Sequence, residues 1–166
     1  TLGVDLATVA RVLSSARALS PHRMDVHELV VGGRELTLID DSYNANLDSM
    51  RAGIAALASI GQDRPTVAVL GEMLELGEDS RSLHEQVGAM IEEAGVDVLV
   101  GLGAHAHYYL EGASGVPHRE VASDPSDAAR LALQFAGDGA VVLVKGSFGS
   151  HSWQVADILR EKGMTR

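Results

Sequence analysis

The chain of 166 residues contains no cysteine. That absence excludes a disulfide framework, a thiolate metal site and a cysteine nucleophile. It fits a reducing compartment, and a cytoplasmic location is expected. Positive charge is also scarce, with 13 Lys and Arg against 23 Asp and Glu and a net charge of −10. A nucleic-acid backbone needs a basic footprint, so no nucleic-acid partner is expected. A nucleotide, held by a few local donors, stays open. No apolar run approaches the roughly 20 residues that span a bilayer. Residues 1–20 also lack the basic start and continuous apolar segment of a signal peptide. No GxxxxGK[ST] phosphate loop occurs. "GLGAHAH", residues 101–107, lacks the third glycine of the dinucleotide fingerprint and does not read as the opening of a helix. A complete nucleotide enzyme is therefore not expected. Part of a site is, with its other wall elsewhere.

What is present reads as an ordinary globular domain, 46% hydrophobic and 22% charged. Leu2, Leu6, Val9, Val12 and Leu13 fall near helical spacing and predict a helix over residues 1–19. Ser20-Pro21 ends it, because the residue before proline disfavours the helical region. A domain boundary is drawn there. Met24, Val26 and Leu29–Val31 predict a strand, Gly32-Gly33 a tight turn, and Leu36–Ile39 the returning strand of a hairpin. Helix and strand then alternate. Helices are expected over 47–60, closed by Gly61, over 80–94, with Ser82 and Glu85 at capping-box spacing and Gly95 as the stop, over 124–135 and over 153–161. Strands are expected over Thr66–Leu70, Val96–Leu102, His118–Ala122 and Ala140–Val144. Such alternation implies an α/β fold. It is a three-layer, Rossmann-like, mostly parallel sheet with helices on both faces and a small N-terminal hairpin.

Ligands of open parallel sheets bind at the carboxyl ends of the strands. The residues there are Asp40-Asp41-Ser42-Tyr43-Asn44, Gly71-Glu72-Met73, Gly103-Ala104-His105 and Lys145-Gly146-Ser147. All four segments should gather on one rim. Asn46 reads as a helix N-cap and Asp48 as a first-turn acid, so neither requires a ligand. Asp41, Tyr43 and Asn44 precede that helix, where one cap suffices. A carboxylate there can accept from vicinal hydroxyls, as the acid of dinucleotide folds does, or it can serve the turn. Lys145 with Gly146 and Ser147 reads as an anion site or as a solvated turn. Arg23 by itself reads as a surface arginine on a loop. His105 and His107 do not make a metal site, and the remaining histidines form no nucleophile–base pattern.

The segments "SPHRMDV", "LIDDSYNANLDSMRAGIAAL", "VAVLGEMLELGEDSRSLHEQVG" and "VLVKGS" stand in this order over nearly the whole chain. Together they resemble the C-terminal domain of the Mur ligases. The nearest branch is the one that joins D-alanyl-D-alanine to a UDP-N-acetylmuramoyl-tripeptide in bacterial cell-wall synthesis. That resemblance implies a three-domain parent. An N-terminal domain binds the UDP-substrate, and a central ATPase domain carries the phosphate loop and magnesium ligands. This third domain closes over ATP. Residues 1–19 would be the last helix of the central domain and residues 20–166 the C-terminal domain. ATP and Mg2+ would belong to the full-length enzyme, with neither held by this domain alone, and the fragment alone would be inactive and free of catalytic residues of its own. The resemblance places Arg23 at the ATP phosphates and Asp41 at the ribose, with Tyr43 and Asn44 near the nucleotide. It places Lys145, Gly146 and Ser147 along the amino-substrate pocket. Two positions depart from the family pattern. Leu47 stands where proline is usual, and Phe148 stands where an arginine often follows KGS. If that arginine holds the dipeptide carboxylate, Ser150, His151 or another domain must do so here. A Mur-type ligase for another amino substrate, or a free-standing binding module, are the alternatives.

Overall fold

The computed structural model describes residues 21–165. The helix expected over 1–19 lies outside the described residues. The described elements are β1 (Asp25–Val31), β2 (Arg34–Asp41), α1 (Leu47–Gly61), β3 (Thr66–Gly71), α2 (Ser80–Glu93), β4 (Val98–Leu102), α3 (Ala106–Gly112), β5 (His118–Ala122), α4 (Pro125–Phe135), β6 (Ala140–Lys145), α5 (Ser152–Lys162) and β7 (Met164–Thr165). Single 3-10 turns occupy Gly77–Asp79 and Phe148–Ser150.

The strands form one seven-stranded sheet in the order β5-β4-β3-β6-β2-β1-β7. Every pairing from β5 through to β2 is parallel, and β1 is antiparallel to both β2 and β7. The expected mostly parallel, three-layer α/β architecture is therefore present. β3, β4 and β6 are buried at every position, which explains why they read as unbroken apolar runs. Their alternate side chains build two cores. Val67, Val69, Val142 and Val144 pack with Ala128, Leu131, Val155 and Leu159 of α4 and α5. Ala68, Leu70, Leu143 and Leu99 pack with Met50, Ile54 and Leu57 of α1, Val87 and Ile91 of α2 and Tyr109 of α3. Full burial of each Val, Leu, Ile or Met among them contributes about 1.5–3 kcal/mol.

Local chemistry sets the boundaries. Gly32 and Gly33 both take positive φ, +58° and +81°, as a two-residue hairpin turn requires. Met24, expected in β1, precedes it, and the returning strand runs on through Asp40 and Asp41. Asn46 caps α1 as expected, with Ser49 completing a reciprocal capping box. Gly61, expected as the stop, instead lies in the last turn, and Gln62 makes the reversal at φ 43°. A Cβ on Gly61 would come within 2.5 Å of Thr66 Cγ2, so this glycine serves packing. The capping box expected of Ser82 and Glu85 does not form. α2 starts at Ser80, one turn of 3-10 helix precedes it, and Glu85 accepts from Arg81 instead. Gly95, at φ 69°, does end α2. β4 begins at Val98 rather than Val96, and α5 starts one residue earlier and ends one later than expected.

α3 was not expected. It follows "GLGAH" directly, and its Tyr109 and Ala106 are buried. It packs closely on α2. A Cβ on Gly88 would collide with the carbonyl oxygen of Tyr109 and come within 3.0 Å of the Gly112 backbone. Gly88→Ala is thus expected to destabilise the chain by about 1–3 kcal/mol in urea unfolding, as overpacking does. Gly137→Ala, whose new methyl would meet only Pro65 Cγ at 3.6 Å, should leave stability nearly unchanged.

Candidate functional site

The register of the parallel strands lines up their ends. Asp41 pairs with Lys145, Leu70 with Lys145, and Gly71 with Leu102. The turns after β2, β6, β3 and β4 therefore share one rim, as the sequence implied. Cross-links stitch the turns together. Ser147 N–H donates to Glu72 O at 3.0 Å, and Leu74 N–H donates to Ser147 Oγ at 3.0 Å. Glu72 Oε1 accepts from both the backbone N–H of His105 at 3.0 Å and its Nδ1 at 2.6 Å.

One end of the rim is organised by charge. Lys145 is only 1% exposed. Its ammonium donates to Asp41 Oδ2 at 2.5 Å and to Asn44 O at 3.0 Å. The other oxygen of Asp41 accepts from Met24 N–H at 3.1 Å. The Asp41 side chain keeps 16% of its surface open. Arg23 is exposed, and its guanidinium lies 4.2 Å from the Tyr43 ring centroid. Arg23, Asp41, Tyr43 and Asn44 thus sit together. Gly146 and Ser147 lie farther along, Gly146 against Gly71, Ser150 and Ser152 and Ser147 against Glu72 and Leu74. Lys145 differs from these two neighbours, because its ammonium is spent on the Asp41 corner and does not line the Ser147 turn.

Beneath this corner is a network that the sequence did not reveal. Asp40 is fully buried. It accepts from Ser42 Oγ at 2.5 Å and His22 Nδ1 at 2.8 Å, and Arg160 of α5 lies 3.4 Å away. His22 O in turn accepts from Tyr43 N–H at 3.0 Å. His22 and Met24 both hold positive φ, 64° and 48°, on either side of Arg23. Such conformations cost non-glycine residues about 1–3 kcal/mol each and persist only when neighbours enforce them. Here the enforcing contacts come from Asp40, Asp41 and Tyr43.

The turn after β3 is pinned from behind by His84. It is completely buried, with Nδ1 donating to Ser80 O at 2.6 Å and Nε2 accepting from Met73 N–H at 3.2 Å. This pattern requires the neutral ring with its proton on Nδ1. Burial pushes the pKa of His84 below its ordinary 6.5, overcoming the opposing hydrogen bond to Ser80. Tyr109 packs against it, its ring tilted by 50° at 4.7 Å between centroids, and donates to Gly71 O at 2.8 Å. Burial raises the Tyr109 pKa far out of reach, so it stays a donor.

Phe148 stands 52% exposed and stacks on Trp153 at 5.6 Å and 10°, with Tyr43 5.6 Å away on its other side. This part of the rim is aromatic where an arginine was the family expectation. Among the described residues no three His, Asp or Glu side chains cluster as a metal site. A depression of about 390 Å3 opens at the opposite edge of the sheet, lined by Gln62, Arg64, Thr66 and Asp97 among others. Arg64, Thr66 and Asp97 among its polar groups are committed to structure. Asp97 Oδ2 accepts from Thr66 N–H and Oγ, and Arg64 donates to Gly139 O and Thr37 Oγ1. It is therefore not the candidate site.

Known proteins resemble this chain in sequence and in fold. The family model "Mur ligase, glutamate ligase domain" matches residues 22–148. The UDP-N-acetylmuramoyl-tripeptide–D-alanyl-D-alanine ligase of Mycobacterium leprae is 37% identical over 99% of this chain and 35% of its own length. The chain thus spans about a third of the curated relatives it matches. MurF from Acinetobacter baumannii superposes with a TM-score of 0.74 at 28% identity, over 96% of this chain and 35% of that one. MurF ligase from Thermotoga maritima, solved in complex with ADP, superposes with a TM-score of 0.71 at 26% identity, over 96% and 34%.

The buried state of His84 sets a pH dependence. Its folded pKa lies below the unfolded value, so between the two the unfolded chain binds a proton that the folded chain does not. The stabilisation is fully present above about pH 6.5 and is lost as pH falls below it. The stability advantage of the native chain over His84→Gln should therefore shrink between pH 7.5 and pH 5, as read from urea unfolding at each pH.

Proposed function

Because this chain belongs to the Mur ligase family, carrying its glutamate ligase domain, we propose that it is the C-terminal domain of an ATP-dependent ligase. That ligase joins D-alanyl-D-alanine to a UDP-N-acetylmuramoyl-tripeptide in peptidoglycan precursor synthesis. The observation that carries this reading is the match along 99% of the chain to a ligase of that name. The rim geometry supports it chemically. Asp41 presents a carboxylate whose two oxygens each retain a free lone pair, suited to the vicinal hydroxyls of a ribose. Arg23 offers an exposed cation beside it for the phosphates. Tyr43 and Asn44 flank the nucleotide, and Gly146 and Ser147 line the side where the amino substrate enters.

The reaction is acyl activation. The terminal phosphoryl group of ATP passes to the peptide carboxylate, giving an acyl phosphate. The dipeptide amine then attacks the carbonyl and expels inorganic phosphate. Phosphoryl transfer depends on positive groups around the oxygens, and from this domain Arg23 supplies one. The rest of the phosphate site, the magnesium ion and the UDP-substrate site belong to the central and N-terminal domains of a longer chain. By this reading residues 1–19 belong to that central domain, and the enzyme works in the cytoplasm. Among the described residues no helix is long and apolar enough to cross a membrane.

In the complete ligase, Asp41→Ala and Arg23→Ala are each expected to raise the KM for ATP about tenfold or more, the worth of a hydrogen bond to a charged group. Circular dichroism should show the fold retained. Unchanged ATP kinetics would reject these roles. The isolated chain, given ATP, UDP-tripeptide and dipeptide, should release no phosphate above background, and turnover by it would contradict the fragment reading.

A further inference from the structure

We propose that Lys145 is a positioning residue for the nucleotide. It acts through Asp41, whose carboxylate it holds in the plane that a pair of sugar hydroxyls requires. The proposal rests on the reading of Asp41 as the ribose acceptor.

Burying an ammonium is costly, and a buried ion pair is weak as a source of stability, since apolar residues of equal volume often do as well. The placement of Lys145 is nonetheless specific. Its stem runs under α1 at Gly53, where a Cβ would come within 2.8 Å of Lys145 Cδ. Helix α1 thus carries a glycine where the lysine crosses it. The ammonium reaches Asp41 Oδ2 at 2.5 Å and Asn44 O at 3.0 Å, so one group fixes both the carboxylate and the turn that follows it. Met24 N–H takes the other oxygen from a different direction. With a donor on each oxygen the carboxylate cannot swing about its last torsion, yet it remains partly open to a ligand. Removing the ammonium leaves only the Met24 contact, and the plane is no longer defined.

The same strand end continues into Gly146 and Ser147. The lysine therefore ties the ribose acceptor to the segment proposed for the amino substrate, through a single residue of β6. Arginine would not substitute. Its planar fork is larger and cannot fold beneath Gly53 as a flexible stem can.

The test uses the complete ligase and two nucleotides, ATP and 2′,3′-dideoxy-ATP. The readout is the ratio of their kcat/KM values. A merely structural role for Lys145 would lower both values together and leave the ratio unchanged. The positioning role predicts that Lys145→Met lowers the ratio about tenfold or more, the worth of hydrogen bonds to a charged acceptor. Asp41→Asn should lower it equally, and the double variant should lower it no further. If Lys145→Met keeps the native ratio while Asp41→Asn loses it, the positioning role is overturned and the ribose reading stands. If Asp41→Asn also keeps the ratio, the ribose reading itself falls. Should Lys145→Met fail to fold, Gly53→Ala pushes on the lysine stem without changing charge. A lowered ratio in that variant supports the proposal, and a native ratio overturns it.

Discussion

The ion pair between Lys145 and Asp41 is the contact on which the rest of the rim depends. It joins the ends of two adjacent parallel strands, β6 and β2, and through Asn44 it also reaches the turn that leads into α1. The helix accommodates it by offering Gly53. Two strand ends 104 residues apart, with the turn that follows one of them, thus meet at one nitrogen. The surrounding sheet needs no such contact to be stable, because two apolar cores already hold it from both faces. The pair instead fixes where the polar groups point.

Next to it, the doublet Asp40-Asp41 uses the alternation of a strand. Successive side chains point to opposite faces. Asp41 meets Lys145 near α1, while Asp40 is buried with His22, Ser42 and Arg160 of α5. One acid organises the partly open corner of the rim and the other fastens the incoming chain. His84 performs a comparable fastening for the turn after β3, from a helix that the sequence presents as merely amphipathic. The turns after β2 and β3 are therefore each held by a buried polar group from another element, Lys145 and His84, and hydrogen-bond satisfaction is what makes that burial tolerable.

The sheet was largely legible in the sequence, for a physical reason. Strands buried on both faces must be continuously apolar, and Thr66–Leu70 and Ala140–Val144 declare themselves that way. The shared rim followed from the rule for parallel strands. The helix Ala106–Gly112 was not legible, because it is seven residues long and buries only Ala106 and Tyr109, too few for a period. Asn46 caps α1 as expected, but the capping-box spacing of Ser82 and Glu85 forms no cap, because both residues lie inside α2, which starts at Ser80. The contacts of His22 and Arg160 with Asp40 were not legible because they join residues far apart in the chain, as Lys145 lies 104 residues from Asp41. The pairing of Glu72 and His105 across 33 residues was hidden for the same reason. The partners of His84, by contrast, are near in sequence, and only the fold shows that its ring is buried against them.

The left-handed turn around Arg23 has one more implication. His22 and Met24 are tied to Asp40, Asp41 and Tyr43, so the arginine is mounted on the same rigid bracket as the carboxylate beside it. A cation and an anion carried on one bracket cannot be offered separately. A small molecule that reached both groups would have to match both ends of a fixed ruler at once.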